Sequence, residues 1–559
     1  MKEDIQRVVL KSIETIGKKN NLTDLAVEIE VGVPKRKEFG DFSINTAMIL
    51  AKKMGENPRR VAELIIENLP PESEQLFKKV DIAGAGFINF FVRENAMVDK
   101  LTEVQRLGES YGASDIGEGK KVLLEFVSAN PTGFLHIGHA RNAVVGDVVS
   151  NILSASGYDV TKEFYINDAG RQMDLLGESV YARYRELFGI ESEIPEDGYK
   201  GDYVKEIAAA IMTEKGDELL SSDKAAEALE YCREYAEATL LGTIKEDLAE
   251  ARIHFDEWYS ERKEIHALST PGGRTRLEHV KELLRDKGAL EEREGALWFM
   301  ATRYGDPQDW VMIKSDGSPT YFLADIAYHA DKYEREYDSI INVWGADHHG
   351  HVSRLAAALR ALGYDDSVFT VILIQFVRLM RNGVEVAMSK RAGSYVTMRE
   401  VIAEVGPDVM RFFLLMRSSE SHLDFDLELA QKESSENPVF YIQYAYARIA
   451  SIFRKAEGEG LDASDESLGH LTEPDEIALI KKLLLYPEVV ADSAETLSPH
   501  KVAYFLQELA ADFHSYYNKH RVVDQDRALS GARLYLIKSV RTVLSNGLGL
   551  LGISAPDRM

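Results

Sequence analysis

The sequence predicts an α/β fold. A parallel sheet carries a helical insertion, a small α+β unit precedes it, and an all-α bundle follows it. Three observations carry this prediction. Short apolar runs alternate with helical patterns through the middle of the chain, which is the mark of βαβ units with right-handed crossovers. From Gly406 onward every segment has helical periodicity. The 559 residues suffice for about three domains of roughly 100–200 residues each.

Taken in order, residues 1 to about 110 form the small α+β unit. It opens on an amphipathic helical pattern and contains GAGFINFFV (Gly84–Val92), a glycine turn running into a strand. The polar, glycine-rich stretch Gly112–Lys121 reads as a linker. A strand (Val122–Val127), a tight loop, a helix ending near Gly157 and a second strand (Asp159–Ile166) make one βαβ unit, so residues 111–405 are expected to be Rossmann-like. Residues from about 175 to 300 are charged and read as mostly helical, an insertion. The sheet pattern then resumes with WVMIK, a hairpin at Asp316-Gly317, a helix from Thr320, a strand at Ser339–Trp344 and a strand at Val371–Leu379. Residues 406–559 form the bundle, with one long loop at Glu457–Glu476.

Composition narrows the functions. No run approaches the roughly 18 apolar residues of a membrane span, and the first residues lack the apolar core of a secretory signal, so a cytoplasmic protein is expected. Cys232 is the only cysteine, which rules out a disulfide framework and a thiolate metal site. A formal charge of −26 argues against non-specific nucleic-acid binding over the whole surface. A local excess remains between Lys501 and Arg541, where seven Lys/Arg face four Asp/Glu; on charge alone this reads as a solvated helix face.

The chemistry concentrates in SANPTGFLHIGHARN (Ser128–Asn142). A strand that ends in a tight loop and feeds a helix is where doubly wound sheets bind nucleotides, because the helix's first amides face phosphate. The loop offers Pro131, Thr132 and Gly133. His136 and His139, at i and i+3, share one face of the first turn, where they can grip a triphosphate and the charge developing at its α-phosphorus. Gly138 leaves room for a base against the helix backbone. Taken alone, such a histidine pair reads first as two capping or core histidines. No GxxxxGK[ST] loop is present, which argues against transfer of the γ-phosphoryl group. Some 250 residues later comes AMSKRAGS (Ala387–Ser394), in which Lys390 lies in a polar loop suited to closing on pyrophosphate.

HIGH followed by MSK around a Rossmann-like core resembles the class I aminoacyl-tRNA synthetases. EFVSANPTGFLHIGHARNAVVGD, FYINDAGRQ, WGADHHGH, LDFDLELA, ENPVFYIQYAYARI and the closing LLGISAPDRM are similar to the arginyl-tRNA synthetases over nearly the whole chain. The resemblance implies arginine–tRNA ligation in a monomer, with ATP as its Mg2+ complex, L-arginine and tRNA(Arg) as partners, and tRNA required before arginine is activated. It makes His136, His139 and Lys390 catalytic. It assigns Pro131, Thr132, Gly133, His136, Gly138, His139, Gly345, Asp347, His348, Met388, Ser389 and Lys390 to ATP. It assigns Glu125, Ser128, Asn130, His139, Glu261, Tyr321, Asp325 and Gln375 to arginine. A guanidinium wants carboxylates and a planar polar neighbour, and Tyr321 and Asp325 at i, i+4 share one helix face. Taken alone that pair reads as a surface pair.

Two departures from the family pattern stand out. Ala387 replaces the loop's first lysine, leaving Arg391 as a substitute for pyrophosphate, and Tyr446 stands where histidine is usual. The adjacent histidines His348, His349 and His351 raise the question of a metal, but their spacing and the lack of a nearby cysteine support no zinc site.

The outer regions follow the same resemblance. KEFGDFSIN and GAGFINF are similar to the family's domain that contacts the tRNA elbow, giving Phe39, Asp41 and Asn89 as RNA contacts. The C-terminal helices are similar to its anticodon-binding bundle, giving Tyr444, Arg448, Tyr517 and Arg521. FHSYYNKHRVV (Phe513–Val523) interleaves aromatic and basic residues as stacking on unpaired bases requires, although composition alone makes it an amphipathic helix. Two rivals remain at this level: another class I synthetase, for glutamine or cysteine, and a paralogue that binds tRNA without catalysis.

Overall fold

A computed structural model describes residues 1–20, 25–34, 36–221, 225–268, 270, 273–386 and 396–559. At its centre lies a five-stranded parallel sheet built from β1 (Lys121–Glu125), β2 (Asp159–Ile166), β3 (Glu257–Ser260), β4 (Ser339–Gly345) and β5 (Phe369–Ile374). Their order across the sheet is β5-β4-β1-β2-β3. β1 is a continuous apolar run whose Val122, Leu123 and Leu124 are buried, as a strand covered on both faces requires. The chain goes from β1 to β2 on one side and later returns to β4 on the other. A crevice therefore opens between the C-terminal ends of β1 and β4, the place where doubly wound sheets bind ligands.

The Ile137–Ala155 helix crosses from β1 to β2 and is buried nearly all round. Gly146 lets it approach, since a Cβ there would collide with the Phe126 ring. Asn142, on the same helix, accepts the Val127 amide at 2.7 Å and donates to the Val343 carbonyl at 2.8 Å, which ties the helix to the ends of β1 and β4.

Several sequence expectations need correction. The insertion is helical at Arg171–Leu187, Asp202–Lys215 and Ala225–Glu250, but Glu257–Ser260 then rejoins the central sheet as its edge strand β3. Leu290–Arg293 and Ala296–Phe299 are strands too, and with Trp310–Ile313 they form a separate antiparallel sheet, so WVMIK does not belong to the parallel one. Strands of four residues carry too few alternations to stand out from their charged surroundings. The run Val371–Leu379 is not one strand. It breaks at Gln375-Phe376, and Val377–Arg381 pairs with Leu423–Asp426, a strand within the region expected to be wholly helical. The break follows from Arg141, whose guanidinium takes the Gln375 carbonyl out of the ladder at 2.8 Å.

The N-terminal unit places the Lys2–Asn20 helix on an antiparallel sheet of four strands, Val31–Gly32, Phe42–Ile44, Phe87–Val92 and Phe77–Ala83 in that order. Gly84 and Gly86 take positive φ in the turn before Phe87, as GAGFINFFV suggests. The expected linker is packed: Ser114, Gly117 and Gly119 donate their amides to the Ala155, Ser156 and Gly157 carbonyls. The unit also rests on the C-terminal bundle, where the Asn546 amide donates to the carbonyls of Gly108 (2.8 Å) and Tyr111 (2.9 Å). The bundle comprises Pro438–Gly458, Pro474–Leu484, Tyr486–Glu495, His500–Lys519 and Arg527–Leu550. Among the described residues no helix is long and apolar enough to cross a membrane.

Candidate active site

The backbone leaves β1 through two residues of positive φ, Val127 (68°) and Ser128 (42°). A β-branched residue there is strained, and the surroundings must hold it. Asn142 fixes the Val127 amide, and the Ser128 hydroxyl donates to Glu125 Oε1 at 2.8 Å while accepting the Tyr165 amide at 3.1 Å. The kink turns the next residues toward the crevice. Asn130 donates to the Gln172 side chain, and the Thr132 carbonyl accepts the Tyr203 hydroxyl at 2.7 Å.

His136 caps the helix and His139 is its third residue. His136 Nδ1 accepts the Gly138 amide at 3.1 Å, and His139 Nδ1 accepts the His136 amide at 3.3 Å. The rings stack with centroids 3.7 Å apart. The helix's first amides were expected to face phosphate directly; two of them are capped by imidazoles instead. Capping and function are therefore compatible: with Nδ1 accepting, each neutral ring carries its proton on Nε2, on the side away from the capped amides. Gly138 has a structural reason as well, since a Cβ there would sit 3.0 Å from His136 Cε1.

Met388, Ser389 and Lys390, with Ala387 and Arg391, lie outside the described residues. The described chain resumes close to the histidines: Thr397 bridges His136, and the Met398 amide donates to the Leu135 carbonyl at 2.7 Å.

The other strand ends supply the acidic side of the crevice. Asp168, after β2, accepts the Ser260 hydroxyl and the Arg262 amide (2.8 Å), clamping the end of β3 and fixing Glu261 between those two donors. Glu261 is buried and pairs with His266 at 3.0 Å. On the Tyr321–Glu334 helix, Asp325 meets His351 Nε2 at 2.9 Å, while Tyr321 is 68 % exposed beside Gly170. Burial pushes the Tyr165 hydroxyl well above its ordinary value, and Glu261, Asp325 and Glu125 add to the shift.

Glu125 does not stand as an open carboxylate. Lys332, fully buried, places Nζ 2.5 Å from Glu125 Oε2 and 2.8 Å from Asn342 Oδ1. Sequence reasoning missed Lys332, and also Asp168, Asn342 and His329. A signal existed for Lys332, because Tyr321, Asp325, Tyr328 and Lys332 form one helical stripe. At the end of β4, Asp347 and His348 are exposed, with the carboxylate folded over Gly345, where a Cβ would not fit. Gln375 is half-buried at the end of β5, and its carbonyl is gripped by Arg141, whose guanidinium burial pulls down to about 10. His351 packs on Phe322 and Trp344. Among the described residues no group of three or more His, Cys, Asp or Glu is placed to hold a metal.

The expected RNA contacts divide. Tyr444, Arg448 and Tyr517 form a surface cluster, with the Arg448 guanidinium 5.0 Å from each ring centroid, and His514 stacks beneath Tyr444 at 5.6 Å. Phe39 and Arg521 are exposed. Asn89 is 4 % exposed, in the strand between Ser43 and Asp81. Asp41 accepts the Val92 amide at 2.8 Å and Lys481 Nζ at 2.6 Å. Part of FHSYYNKHRVV is core, since Phe513, Tyr516, Val522 and Val523 are buried, and Lys519 and His520 pair with Asp475. Tyr446 packs under Arg541, whose guanidinium lies 4.8 Å from its ring centroid.

Comparison with known proteins places this geometry in context. Residues 101–414 match the family model "tRNA synthetases class I (R), catalytic domain", residues 3–92 match "Arginyl tRNA synthetase N terminal domain", and residues 442–559 match "DALR anticodon binding domain". The chain is 47 % identical to arginine–tRNA ligase of Citrifermentans bemidjiense, with all of both chains covered. It is 45 % identical to that of Thioalkalivibrio sulfidiphilus, again over all of both. The arginyl-tRNA synthetase structure of Thermus thermophilus superposes with a TM-score of 0.76 at 23 % identity, covering all of both chains.

Proposed function

The chain belongs to the arginyl-tRNA synthetase family of class I enzymes, and on that premise we propose how its crevice ligates arginine to tRNA(Arg). The enzyme consumes ATP and joins arginine to tRNA. The arginine carboxylate attacks the α-phosphorus of ATP in line, expelling pyrophosphate and forming arginyl-adenylate. A ribose hydroxyl of the terminal adenosine then takes the arginyl group and AMP leaves. No side chain acts as a nucleophile, so positioning and charge stabilisation supply the rate.

In this reading His136 and His139 donate from Nε2 to the α-phosphate and to pyrophosphate as charge develops there, and Lys390 closes on the same group. Pro131, Thr132, Gly133, Gly138, Gly345, Asp347, His348, Met388 and Ser389 border ATP. Asp325 and Glu261 take the guanidinium, with Tyr321 packed on its plane. Glu125, Ser128, Asn130 and Gln375 hold the amino-acid end. The observation that supports these roles is the placement of the buried Glu125 and Glu261 at the C-terminal ends of strands of one parallel sheet, with Ser128 bonded to Glu125 at 2.8 Å and Asp325 held by His351 at 2.9 Å, beside the histidine loop. Phe39, Tyr444, Arg448, Tyr517 and Arg521 contact tRNA, across an N-terminal domain of residues 1–110, a catalytic domain of residues 111–405 and a bundle of residues 406–559. We further propose a cytoplasmic monomer that carries Mg2+ only with its ATP, uses no zinc, and activates arginine only with tRNA bound.

The test is ATP–pyrophosphate exchange across amino acids, with and without tRNA. Exchange is expected with arginine alone and only when tRNA is present; exchange driven by another amino acid would overturn the specificity. In Asp325→Ala the arginine KM should rise about 30-fold or more, as expected for a lost charge-assisted bidentate partner. The ATP KM should stay within about threefold of wild type. An unchanged arginine KM would remove Asp325 from the pocket.

A further inference from the structure

No step of the proposed reaction uses His351, the last histidine of WGADHHGH. It lies at the start of the His349–Leu362 helix, with Arg354 one turn further along the same face. Its Nε2 is 2.9 Å from Asp325 Oδ2, and among the described residues no other side chain pairs with that carboxylate. On the other side of the ring, His351 Nδ1 meets the Arg354 guanidinium. That guanidinium lies over two rings, 4.4 Å from the Trp310 centroid and 4.8 Å from the Phe322 centroid, and its Nε is buried without a partner. The imidazole itself packs between Phe322, edge-on at 6.0 Å, and Trp344 at 5.5 Å. Its side chain is 12 % exposed, against 35 % for Asp325, so the ring backs the carboxylate from the protein side.

We propose that His351 is a positioning residue for the guanidinium end of arginine, set in one tautomer by Arg354 and acting through Asp325. This rests on the reading that Asp325 takes the guanidinium. A guanidinium has donors and no acceptor, so His351 Nδ1 accepts from Arg354 and the ring carries its N–H on Nε2, the nitrogen beside Asp325. With Oδ2 engaged, the carboxylate is restrained about its side-chain torsions and Oδ1 is left for the ligand. A group set before binding spends less of its interaction energy on being ordered. Phe322, one turn before Asp325 on its helix, touches both His351 and Arg354, so packing of the two helices holds the whole chain in place. The alternative is that His351 only fills the space between Phe322 and Trp344. In that case its loss lowers Tm, or weakens arginine and ATP alike, since its helix follows directly on the loop assigned to ATP.

The experiment measures ATP–pyrophosphate exchange by the full chain with tRNA present. In His351→Leu the arginine KM should rise about tenfold, the upper end for one lost hydrogen bond. The ATP KM and kcat should stay within about threefold of wild type. His351→Gln offers an amide N–H in place of the Nε2 proton, and should bring the arginine KM back to within about threefold of wild type. Equal rises in both KM values, an unchanged arginine KM, or a glutamine variant no better than leucine overturns the proposal.

A double-mutant cycle separates this role from the reading beneath it. In an Asp325→Ala background, His351→Leu should change the arginine KM by less than about twofold, because no carboxylate is left to position. A further rise of about tenfold there means that His351 acts elsewhere, and overturns the proposal. If Asp325→Ala alone leaves the arginine KM unchanged, Asp325 does not take the guanidinium, and the underlying reading falls and takes the proposal with it. If Asp325→Ala raises the arginine KM while His351→Leu does not, only the role of His351 falls. Should His351→Leu not fold, Arg354→Met replaces it in the cycle, keeping an unbranched chain against Trp310 and Phe322 while removing the donor to Nδ1. It should raise the arginine KM by roughly threefold to tenfold and spare the ATP KM. An unchanged arginine KM, or an equal rise in both, overturns the proposal in that variant too.

Discussion

The crevice and the exposed face of the C-terminal bundle draw on the same side chains, histidine, tyrosine and arginine, and hold them in opposite ways. In the crevice several of the described polar groups are bound before any substrate arrives. His136 and His139 cap backbone amides, Arg141 grips the carbonyls of Gln375, Ser418 and Ser421, and Glu125 sits on a buried ammonium. On the bundle Tyr444, Arg448, Tyr517 and His514 are held mainly by stacking on one another at the surface. Stabilising a transition state requires dipoles that need not reorganise, whereas holding unpaired bases requires open rings and accessible charge. Substitutions in the two regions should therefore differ in size and in salt dependence.

The largest effect should come from the first region. His139→Ala should lower arginine-dependent ATP–pyrophosphate exchange by about 10²–10³ in kcat, the magnitude of losing one preorganised donor. The same change removes a cap, which costs roughly 1 kcal/mol and moves Tm by only a few degrees. A loss below tenfold, with that small Tm change, would mean that the histidines only cap the helix.

Arg448→Ala probes the second region at smaller amplitude. The tRNA KM should rise about threefold to tenfold, and the slope of log affinity against log salt should fall by about one phosphate contact. Exchange at saturating tRNA should be unchanged. If kcat drops instead, the cluster couples to the crevice and the contrast between the two regions fails.

How much of this was legible in the sequence depended on where each residue lies relative to a strand end. SANPTGFLHIGH follows one parallel strand and WGADHHGH closes another, so topology alone carries both to one crevice once the strands are recognised. Lys332 was hidden because it lies two turns inside a helix, and its importance depends on that helix packing over β1. The short strands at Glu257–Ser260 and Leu423–Asp426 were hidden because four residues carry little period-two signal. Family likeness does not reveal that Asn89 is buried within its sheet or that Asp41 pairs with Lys481, since a motif match does not show which way a strand side chain faces or what lies across a domain boundary. The order of domains was readable. Their mutual packing through Asn546, Lys481 and the supposed linker was not.

The smallest effect marks the boundary between the two regions. Asp41 joins the N-terminal sheet to the bundle through Lys481, and its other oxygen accepts the Val92 amide. Asp41→Asn keeps an oxygen for Val92 and loses only the ion pair, whose lysine is 43 % exposed. Such a pair contributes about 0.2–1 kcal/mol and is screened by salt. Tm should fall by no more than about 2 °C at low ionic strength, and the difference should vanish near 1 M salt. The tRNA KM should stay within about twofold of wild type, because an acid tied to Lys481 offers nothing to phosphate. If the tRNA KM instead rose severalfold with Tm unchanged, Asp41 would be an RNA contact, and the N-terminal sheet would have to leave Lys481 when tRNA binds.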